Sequence, residues 1–255
     1  MEKPNKTPLH ELMKSHTPSA IRQRIDEAGS QHSYLRDFIY GSIDGAVTTF
    51  AVVSGVAGAN LSTKVVIILG AANLFGDGFS MAVSNYLGTR AEEDLRKKAR
   101  KTEEDHIAII PDGEREEIRQ IFAAKGFSGE ELEKIVKVIT SDDNQWINTM
   151  LKEELGMTLQ GPSCIRAALT TFVAFAFVGF IPLIAFIAHW IFPQLQYNPF
   201  LISTILTGLA FFGIGAMKAQ FVGHKWYWSG IETFVVGSIA AFLAYLVGIL
   251  LRNIA

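Results

Sequence analysis

Residues 65–105 read VVIILGAANLFGDGFSMAVSNYLGTRAEEDLRKKARKTEED. Up to residue 89 the only charged side chain is Asp77, whereas most of the following residues are charged, and no proline interrupts the chain before Pro111. An apolar stretch of this length crosses a bilayer as a helix. Because no helix breaker follows it, the same helix is predicted to leave the membrane and continue into water to about Asp105.

Charged residues are distributed unevenly along the rest of the 255-residue chain. They crowd into residues 1–36 and 90–154, while the ranges 38–63, 167–192 and 226–251 contain almost none. This segregation is typical of a protein that spans a bilayer, because placing a charged side chain in hydrocarbon costs free energy. A composition of 49% hydrophobic and 19% charged residues agrees with a membrane protein. The sequence has no basic stripe that would indicate nucleic-acid binding, and its N-terminal segment lacks the apolar core of a signal peptide.

The apolar stretches predict an all-α integral membrane protein with five transmembrane helices and a helical insert between the second and third. The predicted spans are 34–60, 62–89, 163–190, 199–219 and 226–250. The predicted domains are an N-terminal segment (1–33), transmembrane helices 1 and 2 (34–89), a charged helical domain (90–156) and transmembrane helices 3 to 5 (157–255).

The insert is predicted to contain three helices. The first is the continuation of the second span, which ends before the breaker Pro111-Asp112-Gly113. The second covers residues 114–124. The third starts at Ser128, a candidate capping box with Glu131, and runs toward Gly156.

Lysine and arginine predict the orientation. The N-terminal segment, the insert and the loop with Lys218 and Lys225 are basic, whereas residues 189–199 contain no Lys or Arg. Positive loops face the cytoplasm, so we expect the N-terminus and the insert there, although Lys64 and Arg252 fall on the far side. We expect a bacterial inner membrane, while a vacuole-like organelle would give the same topology.

Acidic residues within the spans are candidates for an ion pathway. In the first span Tyr40, Asp44 and Thr48 share one helical face. An aspartate at the centre of a span costs about 2.5–3.5 kcal/mol, which a polar pathway would explain. The alternative is that the carboxylates bond to neighbouring polar groups and only fix the packing. The candidate pathway residues are Asp37, Asp44, Asn73, Asp77 and Met81.

The insert carries pairs of potential metal ligands at helical spacing. If they converge, such carboxylate, imidazole and thioether groups would bind divalent iron, manganese or zinc. The alternative is an ordinary solvated helix face that serves only solubility. The candidate ligands are Glu103, His106, Glu114, Glu117, Met150, Glu153 and Glu154.

Motifs spread over residues 34–252 resemble the vacuolar iron transporter family. They are Asp44-Gly45 in the first span, Ala72-Asn73, Gly78-Phe79-Ser80-Met81-Ala82 and Tyr86-Leu87 in the second, and Met150 with Glu153-Glu154-Leu155-Gly156 at the end of the insert.

The resemblance implies a homodimer that moves ferrous iron, and often manganese, out of the cytosol in exchange for protons. It also implies that the insert collects metal with its glutamates and Met150 and passes it to Asp44 and Met81. There are departures from the family pattern. His106 replaces a usual glutamate, and Asn73 and Asn85 stand where many members are expected to have glutamates, which lowers the negative charge of the pathway.

Two other functions stay open on the sequence. Glu103-x-x-His106 is half of the motif pair that holds di-iron centres in helical bundles, so a membrane-anchored iron oxidase is one alternative. A membrane structural or sensor protein is the other. No prosthetic group is expected. The ligand types do not rank Fe²⁺ and Mn²⁺ against Zn²⁺ or Co²⁺, and the single Cys164 excludes a C-x-x-C site.

Overall fold

The computed structural model describes residues 9–22 and 33–253, and all regular structure in these ranges is helical. The predicted all-α membrane fold is confirmed. The helices with both ends described are α1 Leu9–Ser15, α2 Leu35–Gly58, α3 Thr63–Ile109, α4 Pro111–Ala124, α5 Gly129–Ile139, α6 Asp143–Glu153, α7 Cys164–Gly179, α8 Ile181–Ile191, α9 Pro199–Val222 and α10 Trp226–Leu251. Of the predicted N-terminal segment 1–33, residues 1–8 and 23–32 lie outside the described residues.

Four of the described helices, α2, α3, α9 and α10, are long and apolar enough to cross a membrane. The third predicted span is not one straight helix. It consists of α7 and α8, which meet at a bend of 48°, and the number of spans is five if this pair crosses as one. Pro182 explains the break, because it has no N–H to donate to the preceding turn.

The chain divides into two compact units. The membrane unit contains Tyr34–Arg90 and the described residues from Ser163 onward. The hydrophilic unit contains Ala91–Pro162 and the described part of the N-terminal segment. Helix α3 contributes its apolar part to the membrane unit and its charged part to the hydrophilic unit, as the run of residues 65–105 predicts.

In the membrane unit, α2 packs against α7 and α10, and α9 packs against α10. A buried apolar cluster joins these helices and includes Phe50, Val53, Phe175, Leu183 and Phe211. Most large apolar side chains of α10 are exposed on the surface of the single chain, as expected for a helix that faces lipid.

Two glycines of α2 allow α7 to approach closely. A Cβ atom on Gly41 would lie 2.5 Å from the Thr171 carbonyl oxygen, and one on Gly45 would lie 2.3 Å from the Phe175 carbonyl oxygen. Both atoms belong to the backbone of α7, so the helices would have to separate to admit a methyl group.

We therefore expect Gly45→Ala to destabilise the protein by about 1–3 kcal/mol, the usual cost of overpacking. The measurement is thermal unfolding of the detergent-solubilised protein. Gly213→Ala is the matched control, because a Cβ at Gly213 has open space around it. Equal losses in the two variants would contradict the close packing of α2 on α7.

The hydrophilic unit has a small apolar core that includes Ile118, Leu132, Val136 and Trp146. The single helix predicted from Ser128 to about Gly156 is wrong, since α5 and α6 are separate helices. The Asp142 side chain accepts a hydrogen bond from the backbone N–H of Gln145 at 2.8 Å and so starts a new helix.

Candidate metal centre

The end of α3 and the start of α4 meet at the candidate metal centre. Glu103 and His106 lie one turn apart on α3, so they share a face. The chain turns at Ile110, and Pro111 takes the first position of α4, where a missing N–H is tolerated. This short connection brings Glu114, in the first turn of α4, beside the end of α3.

Glu103, His106 and Glu114 form a compact cluster. One potential ligand atom from each lies within 4.8 Å of the others, and His106 Nδ1 is 3.2 Å from a carboxylate oxygen of Glu114. Glu103 is 4% exposed and Glu114 is 1% exposed, whereas half of the His106 side chain is accessible. Ligands lie about 2.1 Å from a divalent transition metal, so opposite ligand atoms are about 4.2 Å apart. The cluster needs only a small contraction to hold an ion.

The two buried carboxylates are unfavourable in the absence of a cation. Burial raises the pKa of both Glu103 and Glu114, and nearby carboxylates raise these pKa values further, while His106 acts in the opposite direction. The Oε2 atoms of Glu103 and Glu114 have no hydrogen-bond partner within the described part of the chain. A buried carboxylate without a partner carries a large desolvation cost. A divalent cation between the two would supply both the charge and the missing contacts.

Glu117 and Glu154 add further negative charge to this cluster. Glu117 lies one turn after Glu114 on α4, and its charge raises the pKa of Glu103, Glu114 and Glu154. Glu154 caps the end of α6, and burial is the main reason that its pKa is raised. The structure therefore brings together three of the seven candidate ligands of the insert, Glu103, His106 and Glu114, and the charges of Glu117 and Glu154 act on this cluster.

The other two candidate ligands have different surroundings. Met150 is fully buried in the apolar core of the hydrophilic unit. Glu153 pairs with Lys125, which lowers the pKa of its carboxyl group. Glu153 thus has a cation of its own in the metal-free protein.

In the membrane unit, Asp37 belongs to a polar network between three helices. The Asn85 side-chain amide donates to Asp37 Oδ1 at 2.8 Å and to Thr171 Oγ1 at 2.7 Å. Thr171 is fully buried on α7. Asn85 and Thr171 are absent from the predicted pathway set, although Thr170-Thr171 is the only pair of hydroxyl side chains in the apolar range 167–192 and could have indicated this network.

The other pathway candidates lie on α2 and α3. The Asn73 amide donates to the hydroxyls of Thr48 and Thr49 at 3.3 and 3.4 Å, and Thr48 in turn donates to the Asp44 carbonyl. Asp44 is half-buried and Asp77 is exposed on the single chain, and their charges are close enough to interact.

Met81 is half-buried and packs against the apolar cluster of the membrane unit. The structure thus groups Asp44, Asn73 and Asp77, and it places Asp37 with Asn85 instead. Acidic side chains of this kind are rare in spans and mark ion pathways when they occur.

A membrane unit with carboxylates in its spans and a hydrophilic unit with a buried carboxylate–imidazole cluster together define a membrane metal transporter. The chain belongs to the VIT family, whose sequence profile matches residues 35–249. This confirms the resemblance read from the motifs.

Named relatives cover most of the chain. A vacuolar iron transporter of Plasmodium falciparum is 32% identical over 239 residues, which are 90% of this chain and 88% of that protein. Vacuolar iron transporter 1 of Arabidopsis thaliana is 31% identical over 212 residues, 83% of each chain. A vacuolar iron transporter of Toxoplasma gondii is 30% identical over 234 residues, 89% of this chain and 77% of that protein.

These relatives are transporters by name, which supports a transporter over the alternative of an iron oxidase. The comparisons support a membrane protein. They do not support the expected bacterial inner membrane, because the named relatives are vacuolar transporters of eukaryotes.

Proposed function

We propose that the protein exports Fe²⁺ and Mn²⁺ from the cytosol in exchange for protons, working as a homodimer. The observation that carries this proposal is the buried cluster of Glu103, His106 and Glu114 in a chain whose named relatives are iron transporters. The same ligand types accept Zn²⁺ and Co²⁺, which we include as further candidates for the cargo.

In this proposal the insert collects the ion. Glu103 and Glu114 bind it, and the half-exposed His106 lies on the side from which an ion would arrive. Glu117 and Glu154 attract it and complete its coordination. The ligand set predicted from the sequence also includes Met150 and Glu153, which would first have to leave the apolar core and Lys125, respectively. Imidazole in place of a carboxylate shifts the preference of this site from Mn²⁺ toward Fe²⁺ and Zn²⁺.

The spans then carry the ion through Asp44 and Met81, with Asp37, Asn73 and Asp77 along the route. Protons compete with metal for carboxylate ligands, so protonation on the acidic side of the membrane releases the ion. The protonated carboxylates then lose their protons on the cytosolic side, which couples export of metal to entry of protons.

The proposal of a homodimer rests on the surface of α3. Asp77 is exposed on the single chain within a span, and Phe75 and Phe79 beside it are 70% and 66% exposed. Apart from its chain neighbours and its own helix backbone, a Cβ atom at Gly76 would have no atom of the described residues within 4 Å. A second copy packed here would remove Asp77 from lipid, and small residues on this face permit close approach.

The proposed orientation places the N-terminus and the insert in the cytoplasm. It rests on the basic residues of both segments and on Lys218 and Lys225, which follow the positive-inside rule. The metal cluster would then face the compartment from which metal is exported.

The test uses the full chain in proteoliposomes with an acidic interior. We expect external Fe²⁺, kept reduced, and external Mn²⁺ to enter faster with the pH gradient than without it, and the interior to become more alkaline as metal enters. Protein-free liposomes are the control. A folded preparation that moves neither ion would overturn the transport proposal. Metal uptake at the same rate with and without the pH gradient would overturn only the proposed exchange for protons.

A further inference from the structure

A second polar site lies in the membrane unit, where α9 ends and α10 begins. Gly223 ends α9 in the left-handed conformation, with φ of 73°, and α10 starts three residues later at Trp226. This short turn leaves a pocket of about 920 Å³, which is lined by Lys218, His224, Lys225, Trp228, Ser229 and Glu232.

The pocket has an excess of positive charge. Lys218 Nζ is 3.4 Å from a carboxylate oxygen of Glu232, so these two charges offset each other. Lys225 has no carboxylate partner within the described residues, and its ammonium lies 5.8 Å from the ring centroid of Tyr227.

Ser229 gives the pocket an unused hydrogen-bond donor. It lines the pocket and is only 5% exposed, and its hydroxyl has no partner in the part of the chain that the structure describes. Its Oγ has almost no accessible surface, so the side chain would have to rotate to offer the hydroxyl to an anionic oxygen in the pocket. Cations and a hydroxyl together are the usual partners of a phosphate group.

Apolar aromatic side chains surround this polar pocket. Phe221, Trp226 and Trp228 are 64%, 56% and 62% exposed, at the ends of two predicted spans. Tryptophans in such positions lie at the level of lipid headgroups. A ligand for this site must therefore tolerate an apolar neighbourhood, which favours a lipid over a free ion.

We propose that this pocket binds the phosphate of an anionic phospholipid headgroup. Lys225 and Lys218 contact the phosphate oxygens, Ser229 donates a hydrogen bond to one of them, and the acyl chains lie along the exposed aromatic side chains. Glu232 weakens this site, since it repels the phosphate and holds Lys218. The site is separate from the metal cluster and is independent of the transport proposal.

The test is native mass spectrometry of the full-length protein released from detergent, with phosphatidylglycerol or phosphatidylcholine of the same acyl chains. We expect retention of one phosphatidylglycerol per chain and weaker retention of phosphatidylcholine. Removing a lysine near a phosphate weakens binding about fivefold, so Lys218→Gln with Lys225→Gln should weaken it about 25-fold. Glu232→Gln should strengthen it severalfold.

Lys64→Gln, which removes an exposed lysine at the start of α3, is the matched control and should leave lipid retention unchanged. Equal retention of both lipids, or unchanged binding in the lysine variants, would overturn the proposal. Displacement of the lipid by an equal concentration of inorganic phosphate would overturn the lipid as ligand in favour of a free anion. If the lysine variants do not fold, Glu232→Gln remains as the test. Retention of phosphatidylglycerol that does not increase in this variant would overturn the proposal.

Discussion

Replacing Glu114 with glutamine is expected to stabilise the metal-free protein at neutral pH and to remove most of its response to metal. Glu114 is 1% exposed, its Oε2 has no partner among the described residues, and Glu117 and Glu154 repel its charge. Glutamine keeps the shape and removes the charge. Because an unsatisfied buried charge costs more than an unsatisfied buried amide, we expect a gain of about 1–3 kcal/mol.

The same substitution removes a carboxylate ligand. Loss of a supporting group near a metal typically costs about 10- to 100-fold in affinity, and loss of a ligand should cost at least as much. Thermal unfolding of the full-length protein with and without Mn²⁺ measures both effects. Metal should raise the unfolding temperature of the wild type, through binding to the folded state, far more than that of Glu114→Gln.

The raised pKa values of three glutamates determine whether the protein gains or loses stability as the pH rises. Burial first, and neighbouring carboxylates next, raise the pKa of Glu103, Glu114 and Glu154 above the ordinary glutamate pKa of 4.5. Protonation therefore favours the folded state, so their contribution is complete below pH 4.5 and is lost as the pH rises through the raised pKa values. The metal-free wild type should lose stability over this window, and Glu114→Gln should lose less.

Glu92→Gln is the matched control, because Glu92 is an exposed glutamate on α3, the helix that precedes α4. It should change neither the stability nor the response to Mn²⁺. A metal-free Glu114→Gln protein that is less stable than the wild type at neutral pH would show that the Glu114 carboxylate stabilises the fold by itself, which contradicts a site built for a cation.

The sequence predicted the ends of the uninterrupted spans closely, because charged or helix-breaking residues bound each apolar stretch. It missed the break at Pro182 and the break before Asp143. In the second case the apolar positions Leu132, Val136 and Ile139 keep a helical period, and Trp146 and Met150 continue it. Periodicity therefore gave no sign of a break, which depends on the Asp142 side chain bonding to the next turn.

The candidate metal centre was only partly readable from the sequence. Spacing of three residues placed Glu103 with His106 on one face, because that relation is local. The approach of Glu114 depends on the turn at Ile110, and the pairing of Glu153 depends on Lys125, which is 28 residues away along the chain. The convergence of ligands was therefore supplied by tertiary structure.

Replacing Asp44 with asparagine is expected to abolish metal transport while leaving the insert able to bind metal. Asp44 is a half-buried carboxylate in the first span, and its charge interacts with that of Asp77. Asparagine preserves the size of the side chain but removes the charge that the proposed pathway offers to the ion. Asp44 and Asp77 repel each other until a cation lies between them, and removing one charged partner of such a buried ion contact costs about 3–5 kcal/mol. We therefore expect a loss of at least about 100-fold in the rate of Mn²⁺ entry into proteoliposomes.

The dependence of rate on metal concentration separates the two proposed roles. Asp44→Asn should be slow at all concentrations of Mn²⁺ and should keep the metal-induced rise in unfolding temperature. Glu114→Gln should be slow mainly at low concentrations, since the insert is proposed to collect metal. Glu92→Gln is again the control, because it also replaces an acidic side chain with its amide, but at an exposed position outside the proposed pathway. Transport by Asp44→Asn at the wild-type rate would remove Asp44 from the pathway, since no carboxylate would then be needed at this position of the first span.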